Sequence, residues 1–202
     1  MRVGERGVAL LLGTGCTARR AIVEVAGPTI VLVTGIHGDE PAGSLVTDIP
    51  TDIQVVGPVN NTGKRRKNGV DLNRHFDGSN SESNRVLSQV LKASPALVIT
   101  THEDDEVDSV YAYASPDMAE TAKQVLRVVT GDIAAKAHAD VTDDGVITGG
   151  RQPYAGSLER ACEQRGIPYV CVETPKSMPI KERVRIQTAI INGLRQRLVD
   201  KR

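Results

Sequence analysis

A histidine and a glutamate lie three residues apart in the segment Gly35-Ile36-His37-Gly38-Asp39-Glu40-Pro41, directly after an apolar run. A second polar motif, Asp71-Leu72-Asn73-Arg74, follows after a long polar connection. Imidazole and carboxylate groups are typical ligands of a divalent metal. An arginine beside an asparagine suits the binding of a carboxylate group. The two motifs together indicate a metal site next to a carboxylate-binding site.

A third candidate ligand is His102, which follows the apolar run Ala96–Thr101. Hydrolytic zinc sites usually take three nitrogen or carboxylate ligands and keep one position open for water. His37, Glu40 and His102 would supply two imidazoles and one carboxylate. The spacing therefore fits a catalytic metal site better than a closed structural one.

The local sequence around the first two ligands predicts a tight turn. Pro41 disfavours helical geometry at Glu40 but suits the first turn of a helix that starts at Ala42. Gly38 allows the backbone to fold back on itself. We therefore expect the turn to direct the side chains of His37 and Glu40 at one ion.

The elements that must position these residues alternate between strands and helices. Predicted strands are Val8–Leu12, Ala21–Val25, Ile30–Thr34, Ile53–Val56, Ala96–Thr101 and Tyr169–Val172. Predicted helices are Glu82–Lys92, Asp117–Val129, Leu158–Arg165 and Ile180–Leu198. This order predicts an α/β fold: a three-layer sandwich with a central mixed, mostly parallel twisted sheet flanked by helices. The chain is long enough for one domain, and we expect a single catalytic domain over residues 1–202.

Three candidate residues follow predicted strands directly. His37 comes after Ile30–Gly35, His102 after Ala96–Thr101, and Glu173 after Tyr169–Val172. Ligands of open α/β sheets collect at the carboxyl ends of the strands. If these strands run parallel, the three side chains converge on one edge of the sheet.

Composition excludes several classes of function. Basic and acidic residues number 25 each, so no net charge favours nucleic acid or an anionic membrane. One phenylalanine, four tyrosines and no tryptophan leave little for stacking on bases or sugars. Three cysteines without a Cys-x-x-Cys pair argue against a disulfide framework and a thiolate zinc site. A charged N-terminus and the lack of a long apolar segment predict a cytoplasmic protein without a membrane span.

Three motifs, in this order and spacing, resemble the zinc carboxypeptidase superfamily. They are Gly-Ile-His37-Gly-Asp-Glu40, Asp71-Leu72-Asn73-Arg74 and Val172-Glu173-Thr174-Pro175. The His-Gly-Asp-Glu-Pro form is most similar to the succinylglutamate desuccinylase/aspartoacylase branch. The resemblance runs from about Ile30 to the C-terminus and implies a mixed eight-stranded sheet between helices.

The resemblance also implies a role for each matching residue. His37, Glu40 and His102 would hold one Zn²⁺ per chain as the cofactor. Glu173 would be the general base that activates water and passes its proton to the leaving amine. Asn73 and Arg74 would grip the substrate carboxylate. The implied activity is hydrolysis of an amide next to a carboxylate, in an N-acyl amino acid or at a peptide's C-terminus.

Two further roles come from the resemblance at less distinctive positions. Arg66, five residues before Asp71, best matches the arginine that polarises the substrate carbonyl, and the neighbouring Arg65 is its rival. Without the resemblance, the run 64–67 would read as a solvated basic loop. Tyr154 resembles the mobile tyrosine that covers the substrate, although it could also pack structurally.

The chain departs from the deacylase branch in ending before the usual C-terminal β-domain, so we expect the single catalytic domain alone. The substrate therefore stays open. The acidic run Glu103–Asp108, directly after His102, would either favour cationic substrates or only solubilise a loop.

Two other functions compete with the hydrolase. A non-catalytic module could keep the metal or carboxylate site, but it would not need Glu173. The run 13–18, Gly-Thr-Gly-Cys-Thr-Ala, matches a loose dinucleotide-binding fingerprint. That fingerprint requires a helix, whereas Ala21–Val25 is predicted as a strand, so a hairpin turn is the better interpretation. A small-molecule substrate is expected, with no nucleic acid or membrane partner, and the sequence leaves the oligomeric state open.

Overall fold

The computed structural model of the chain describes residues 29–131, 145–147 and 154–201. Within them, six strands form one sheet in the order β2-β1-β3-β6-β4-β5. The strands are β1 Ile30–Val33, β2 Ile53–Val56, β3 Leu97–Asp104, β4 Tyr111–Ala114, β5 Val146–Ile147 and β6 Tyr169–Pro175. Strands β2, β1, β3 and β6 run parallel, β4 is antiparallel to β6, and β5 is parallel to β4. The predicted mixed, mostly parallel sheet is therefore confirmed.

Four α-helices cover the sheet in the described part of the chain. They are α1 Ser81–Lys92, α2 Ala119–Thr130, α3 Leu158–Glu163 and α4 Ile180–Asp200. Three short 3-10 helices, Ala42–Leu45, Leu72–Arg74 and Pro116–Met118, lie in the connections. The predicted helix Asp117–Val129 is split, because its first turn belongs to the 3-10 helix and α2 begins at Ala119.

Alternate residues of the central strands enter two separate cores. Ile30 and Leu32 of β1 pack on one face, in the core that includes residues of α2 and α4. Val31 and Val33 pack on the other face, in the core that includes residues of α1 and α3. A parallel strand covered on both faces is expected to be apolar throughout. The predicted three-layer sandwich is thus confirmed.

The two strands that carry site residues are longer than predicted. Pairing between β3 and β6 continues through Glu103 with Thr174 and Asp104 with Pro175. His102 and Glu173 therefore lie inside strands rather than just after them, which corrects the sequence-based placement. The sequence does not predict this extension, because strands are recognised from their apolar residues and the added residues are mostly polar.

Three predicted features lie outside the described residues: the strands Val8–Leu12 and Ala21–Val25, and the glycine-rich run 13–18. The eight strands implied by the family resemblance compare with six in the described part. No helix among the described residues has the length and apolar character to cross a membrane.

Candidate metal and carboxylate site

The turn after β1 places the first two candidate ligands. Gly38 donates its backbone N–H to the carbonyl of Lys64 at 3.1 Å, and Glu40 donates to the carbonyl of His37 at 3.3 Å. A Cβ atom at Gly38 would stand 2.8 Å from the Lys64 carbonyl oxygen, so the close approach requires glycine. The 3-10 helix begins at Ala42, directly after Pro41. The predicted tight turn is confirmed.

His37, Glu40 and His102 meet in one buried cluster. His37 Nδ1 lies 2.8 Å from Glu40 Oε1, and His102 Nδ1 lies 2.9 Å from Glu40 Oε2. One potential ligand atom from each residue lies within 4.8 Å of the others, and each residue is only 3% exposed. Both imidazoles thus turn the same ring nitrogen toward one carboxylate, as ligands of a shared ion would.

The donor set also fits a divalent cation in its chemistry. Two imidazoles and one carboxylate are the nitrogen and oxygen ligands of hydrolytic zinc sites. His102 Nε2 is buried without a hydrogen-bond partner. In the protein alone, the imidazole of His102 pairs with the Glu40 carboxylate instead.

Electrostatics within the cluster follow from that pairing. Burial by itself would raise the pKa of Glu40, but the charge and hydrogen bond of His102, with those of His37, hold the pKa at about 2. Burial by itself would lower the pKa of His102, but Glu40 raises it to about 9. His102 and Glu40 therefore form an ion pair, and a metal bound by them would replace the proton of His102.

Asp71 supports His37 from the side opposite Glu40. His37 Nε2 lies 3.0 Å from Asp71 Oδ1, and this hydrogen bond holds the pKa of Asp71 at about 2. The same oxygen accepts the backbone N–H of Asn73 at 3.1 Å, so Asp71 also starts the 3-10 helix Leu72–Arg74. A carboxylate behind a ligating histidine sets its tautomer and orientation.

Glu173 lies next to the cluster on the neighbouring strand. It is in register with His102 of β3 and with Tyr111 of β4. Burial raises its pKa to about 8; His102 opposes this and Glu40 adds to it. Its Oε1 lies 3.8 Å from the Cys171 thiol. A partly buried carboxylate beside a metal-ligand cluster is placed as a proton acceptor would be, and its role stays a prediction.

A second group of potential ligands, His102, Glu159 and Cys171, also lies close together. Burial raises the pKa of the Cys171 thiol well above its usual range, which disfavours the thiolate that a metal requires. Glu159 Oε1 already accepts the Thr100 hydroxyl at 2.6 Å. The first cluster is therefore the better metal site.

The predicted carboxylate-binding residues lie on the 3-10 helix beside Asp71. Asn73 is buried, and its Oδ1 accepts the backbone N–H of Leu158 at 3.2 Å. Arg74 donates one guanidinium N–H to the Asn73 carbonyl at 2.8 Å. Its guanidinium carbon lies 4.4 Å from the ring centroid of Tyr154, which is 61% exposed. The structure thus brings Tyr154 to the predicted substrate-binding arginine.

Gly156 allows this approach. Its φ is +75°, and an added Cβ would lie 2.1 Å from the Arg74 carbonyl oxygen. Its own carbonyl accepts the backbone N–H of Phe76 at 2.8 Å. The segment that starts at Tyr154 is therefore held against the Asp71–Arg74 motif.

The two candidate carbonyl-polarising arginines occupy different places. Arg65 Nη1 lies 3.5 Å from Glu40 Oε1, and Arg65 Nε lies 4.0 Å from Asp71 Oδ2. Asn60, itself buried, binds the carbonyls of Lys64 and Arg65 through its Nδ2 and so holds this loop at the cluster. Arg66 is exposed.

Most of the acidic run is engaged by partners within the chain. Glu103 is buried and ion-paired with Arg183. Asp104 accepts the Tyr111 hydroxyl at 2.5 Å, and Asp105 lies 3.4 Å from Lys176. Asp108 accepts the Ser177 hydroxyl at 2.8 Å. These contacts favour a structural role for the run over recognition of a cationic substrate.

Sequence reasoning missed two residues of the site, Asn60 and Gln187, and considered Glu103 only as part of an acidic run. Gln187 is fully buried and donates to the His102 carbonyl at 3.3 Å and to the Thr174 hydroxyl at 2.9 Å. Its position among apolar residues of α4 was the available signal, since a buried polar side chain needs a partner. His75, by contrast, bonds Ser79 at 2.8 Å and is not part of the cluster.

Comparison with known proteins supports the fold. No protein-family model matches the chain, and no curated protein matches it either. A protein assigned as a metallopeptidase from Shewanella denitrificans OS217 superposes with a TM-score of 0.67 at 22% identity, over 83% of this chain and 74% of that one. Murein-tripeptide amidase MpaA from Escherichia coli O157 superposes with a TM-score of 0.59 at 20% identity, over 83% of this chain and 81% of that one.

A third solved structure belongs to the branch that the first motif resembles. Succinylglutamate desuccinylase/aspartoacylase from Rhodobacter sphaeroides gives a TM-score of 0.60 at 19% identity, over 86% of this chain and 56% of that one. At these identities the likeness establishes the fold. The chain has a carboxypeptidase-like fold, as its motifs predicted.

Proposed function

We propose that the chain is a zinc-dependent hydrolase, with one Zn²⁺ per chain, that cleaves an amide bond next to a carboxylate. The observation that carries this proposal is the meeting of His37, Glu40 and His102 in one buried cluster beside Glu173. The similarity to a metallopeptidase, an amidase and a deacylase supports the same reaction class. The substrate would be an N-acyl amino acid or a peptide with a free C-terminus.

The metal would be held by His37, Glu40 and His102. When bound, zinc would act as a Lewis acid and lower the pKa of a coordinated water toward about 7. Glu173 would accept a proton from the attacking water and return it to the leaving amine. Its pKa of about 8 in the metal-free protein would fall beside a cation, because positive charge favours the carboxylate.

The substrate carboxylate would be bound by Asn73 and Arg74. Arg74 uses one guanidinium donor on the Asn73 carbonyl, and its planar fork offers further donors for a bidentate contact. Tyr154, stacked on the same guanidinium, would cover the bound substrate. These groups would select a free carboxylate next to the scissile amide.

For the oxyanion, we propose Arg65 rather than Arg66, which the family resemblance favours. The contacts of Arg65 with Glu40 and Asp71 support this choice, because they keep a guanidinium at the edge of the cluster. A fixed positive charge there would stabilise the negative charge that develops on the carbonyl oxygen.

Metal content and turnover together test the proposal. After zinc loading and dialysis, elemental mass spectrometry should find about one zinc per chain in the wild type and in His75→Ala, and none in His37→Ala. Glu173→Gln should keep zinc and lose about 10²–10⁴-fold in kcat on the best substrate from panels of N-acyl amino acids and peptides.

Three results would contradict it in whole or in part. A wild type without stoichiometric zinc would overturn the metal site. A wild type that binds zinc but hydrolyses neither panel would favour the non-catalytic alternative of the same fold. A Glu173→Gln variant with unchanged turnover would overturn the role of Glu173 as the proton acceptor.

A further inference from the structure

The acid next to the second histidine ligand faces inward and contacts the turn of the first two ligands. Glu103 Oε1 accepts the backbone N–H of Ala42 at 2.6 Å, a contact between residues 61 positions apart. Ala42 follows Glu40 with only Pro41 between them. We propose that Glu103 is a positioning residue that holds the Glu40 carboxylate in place for the metal; this rests on the proposed metal site.

The connection from Ala42 to Glu40 is stiff. Pro41 has φ −75° and ψ −21°, and its ring restricts φ to this region. Because proline has no N–H, the Ala42 N–H is the first backbone donor after that of Glu40 itself. An anchor at Ala42 therefore restrains the backbone that carries the Glu40 side chain.

Glu103 is itself held from helix α4. Its other carboxylate oxygen is ion-paired with Arg183, whose side chain is 12% exposed. One turn further along the helix, Gln187 binds the carbonyl of His102. The two α4 side chains thus hold adjacent residues of β3, of which one is a proposed ligand and the other contacts the ligand turn.

The turn packs so closely against β3 that a shift of the turn would break the contact between Glu103 and Ala42. A Cβ atom at Gly43 would stand 2.0 Å from the Thr101 hydroxyl, so the 3-10 helix Ala42–Leu45 lies directly against β3. The glutamate side chain of residue 103 is long enough to reach the Ala42 N–H from β3. An aspartate side chain, which is one methylene shorter, would not reach it.

Two substitutions of Glu103 separate the hydrogen bond from the charge. Glu103→Asp keeps the charge but withdraws the acceptor from the Ala42 N–H. Glu103→Gln keeps an oxygen at the same reach but removes the charge that pairs with Arg183. Both are close in volume to the original side chain, so at least one folded variant is expected.

The readout is zinc affinity of the folded protein, measured by competition with a chromophoric chelator below the melting temperature. We expect Glu103→Asp to weaken zinc about 10-fold or more, as loss of groups that orient metal ligands does, and Glu103→Gln to weaken it less than about 3-fold. Val125→Ala, a core variant in α2, controls for destabilisation alone and should leave zinc affinity unchanged.

Wild-type affinity in Glu103→Asp would overturn the inference. Equal losses in both variants would overturn it as well, since Glu103→Gln keeps an acceptor within reach of the Ala42 N–H and its loss of affinity could not come from that contact. If the wild type binds no zinc, the proposed function itself fails, and this inference fails with it.

Discussion

His37 and Asp71 are joined by a hydrogen bond of 3.0 Å between the imidazole Nε2 and the carboxylate Oδ1, across 34 residues of sequence. Because the pKa of Asp71 is held at about 2, its carboxylate is charged near neutral pH and favours a proton on Nε2. Nδ1, which faces Glu40, is then the nitrogen left to bind a metal.

This relationship predicts that Asp71 controls zinc affinity. Asp71→Ala should weaken zinc binding about 10–100-fold, because the His37 ring loses its orienting partner. Asp71→Asn should be milder, since the amide oxygen can still accept the N–H of His37. Chelator competition measures both. Asp77→Ala, which removes an exposed carboxylate bonded to Ser79, is the control and should bind zinc as the wild type does.

The choice between the two neighbouring arginines can be tested by kcat. Arg65→Ala should lower kcat by about 10²–10³-fold, the cost of removing one group that stabilises an oxyanion. Arg66→Ala should change it less than about 3-fold, because Arg65 is the one of the two that contacts Glu40 and Asp71. Steady-state kinetics on the same substrate decide between them. The reverse order of effects would return the role to Arg66.

The raised pKa of Glu173 predicts a pH-dependent gain in stability on its removal. The pKa of this carboxyl group is about 8 in the folded chain and 4.5 in the unfolded chain. Its protonation therefore stabilises the folded state fully below pH 4.5, and this stabilisation is lost as the pH rises through 8. Metal-free Glu173→Gln should therefore melt a few degrees above metal-free wild type at pH 8. Near pH 4 the difference should shrink.

Exposed Glu106 provides the control for that measurement, because its side chain can be changed to glutamine without altering the cluster. Glu106→Gln should shift the melting temperature little at either pH. A Glu173→Gln variant that melts at the wild-type temperature at pH 8 would contradict the buried, proton-retaining state of Glu173.

The close approach of Gly156 to Arg74 predicts a large effect of a single methyl group. Gly156→Ala and Gly166→Ala both place alanine at a positive φ, +75° and +63°, but only Gly156 faces a neighbour within 4 Å. Both should lose about 1–2 kcal/mol of unfolding free energy to backbone strain. Gly156→Ala should lose about 1–3 kcal/mol more through overpacking.

Denaturant unfolding measures these differences. Gly156→Ala should also raise KM, because the added Cβ would displace the backbone of the proposed carboxylate-binding arginine. Equal stabilities of the two alanine variants would show that the loop moves away from Arg74 at no cost.

The C-terminal ends of β3 and β6 could not be predicted from the sequence. The apolar runs Ala96–Thr101 and Tyr169–Val172 identify both strands, yet each strand continues for three further, mostly polar residues. Those polar residues are paired across the sheet, and several of them form the candidate site. Local patterns are expected to fail at functional sites, where residues are kept for chemistry instead of periodicity.

By itself the sequence determined the types and order of the candidate ligands, the tight turn before Ala42 and the alternation of strands and helices. These are local properties, because spacing, proline geometry and apolar periodicity act over a few residues. Only the tertiary structure decided which distant groups meet. The pairing of His102 with Glu40 spans 62 residues, and that of Glu103 with Ala42 spans 61. Both depend on the strand order and register of the sheet, since these bring separate segments to one edge.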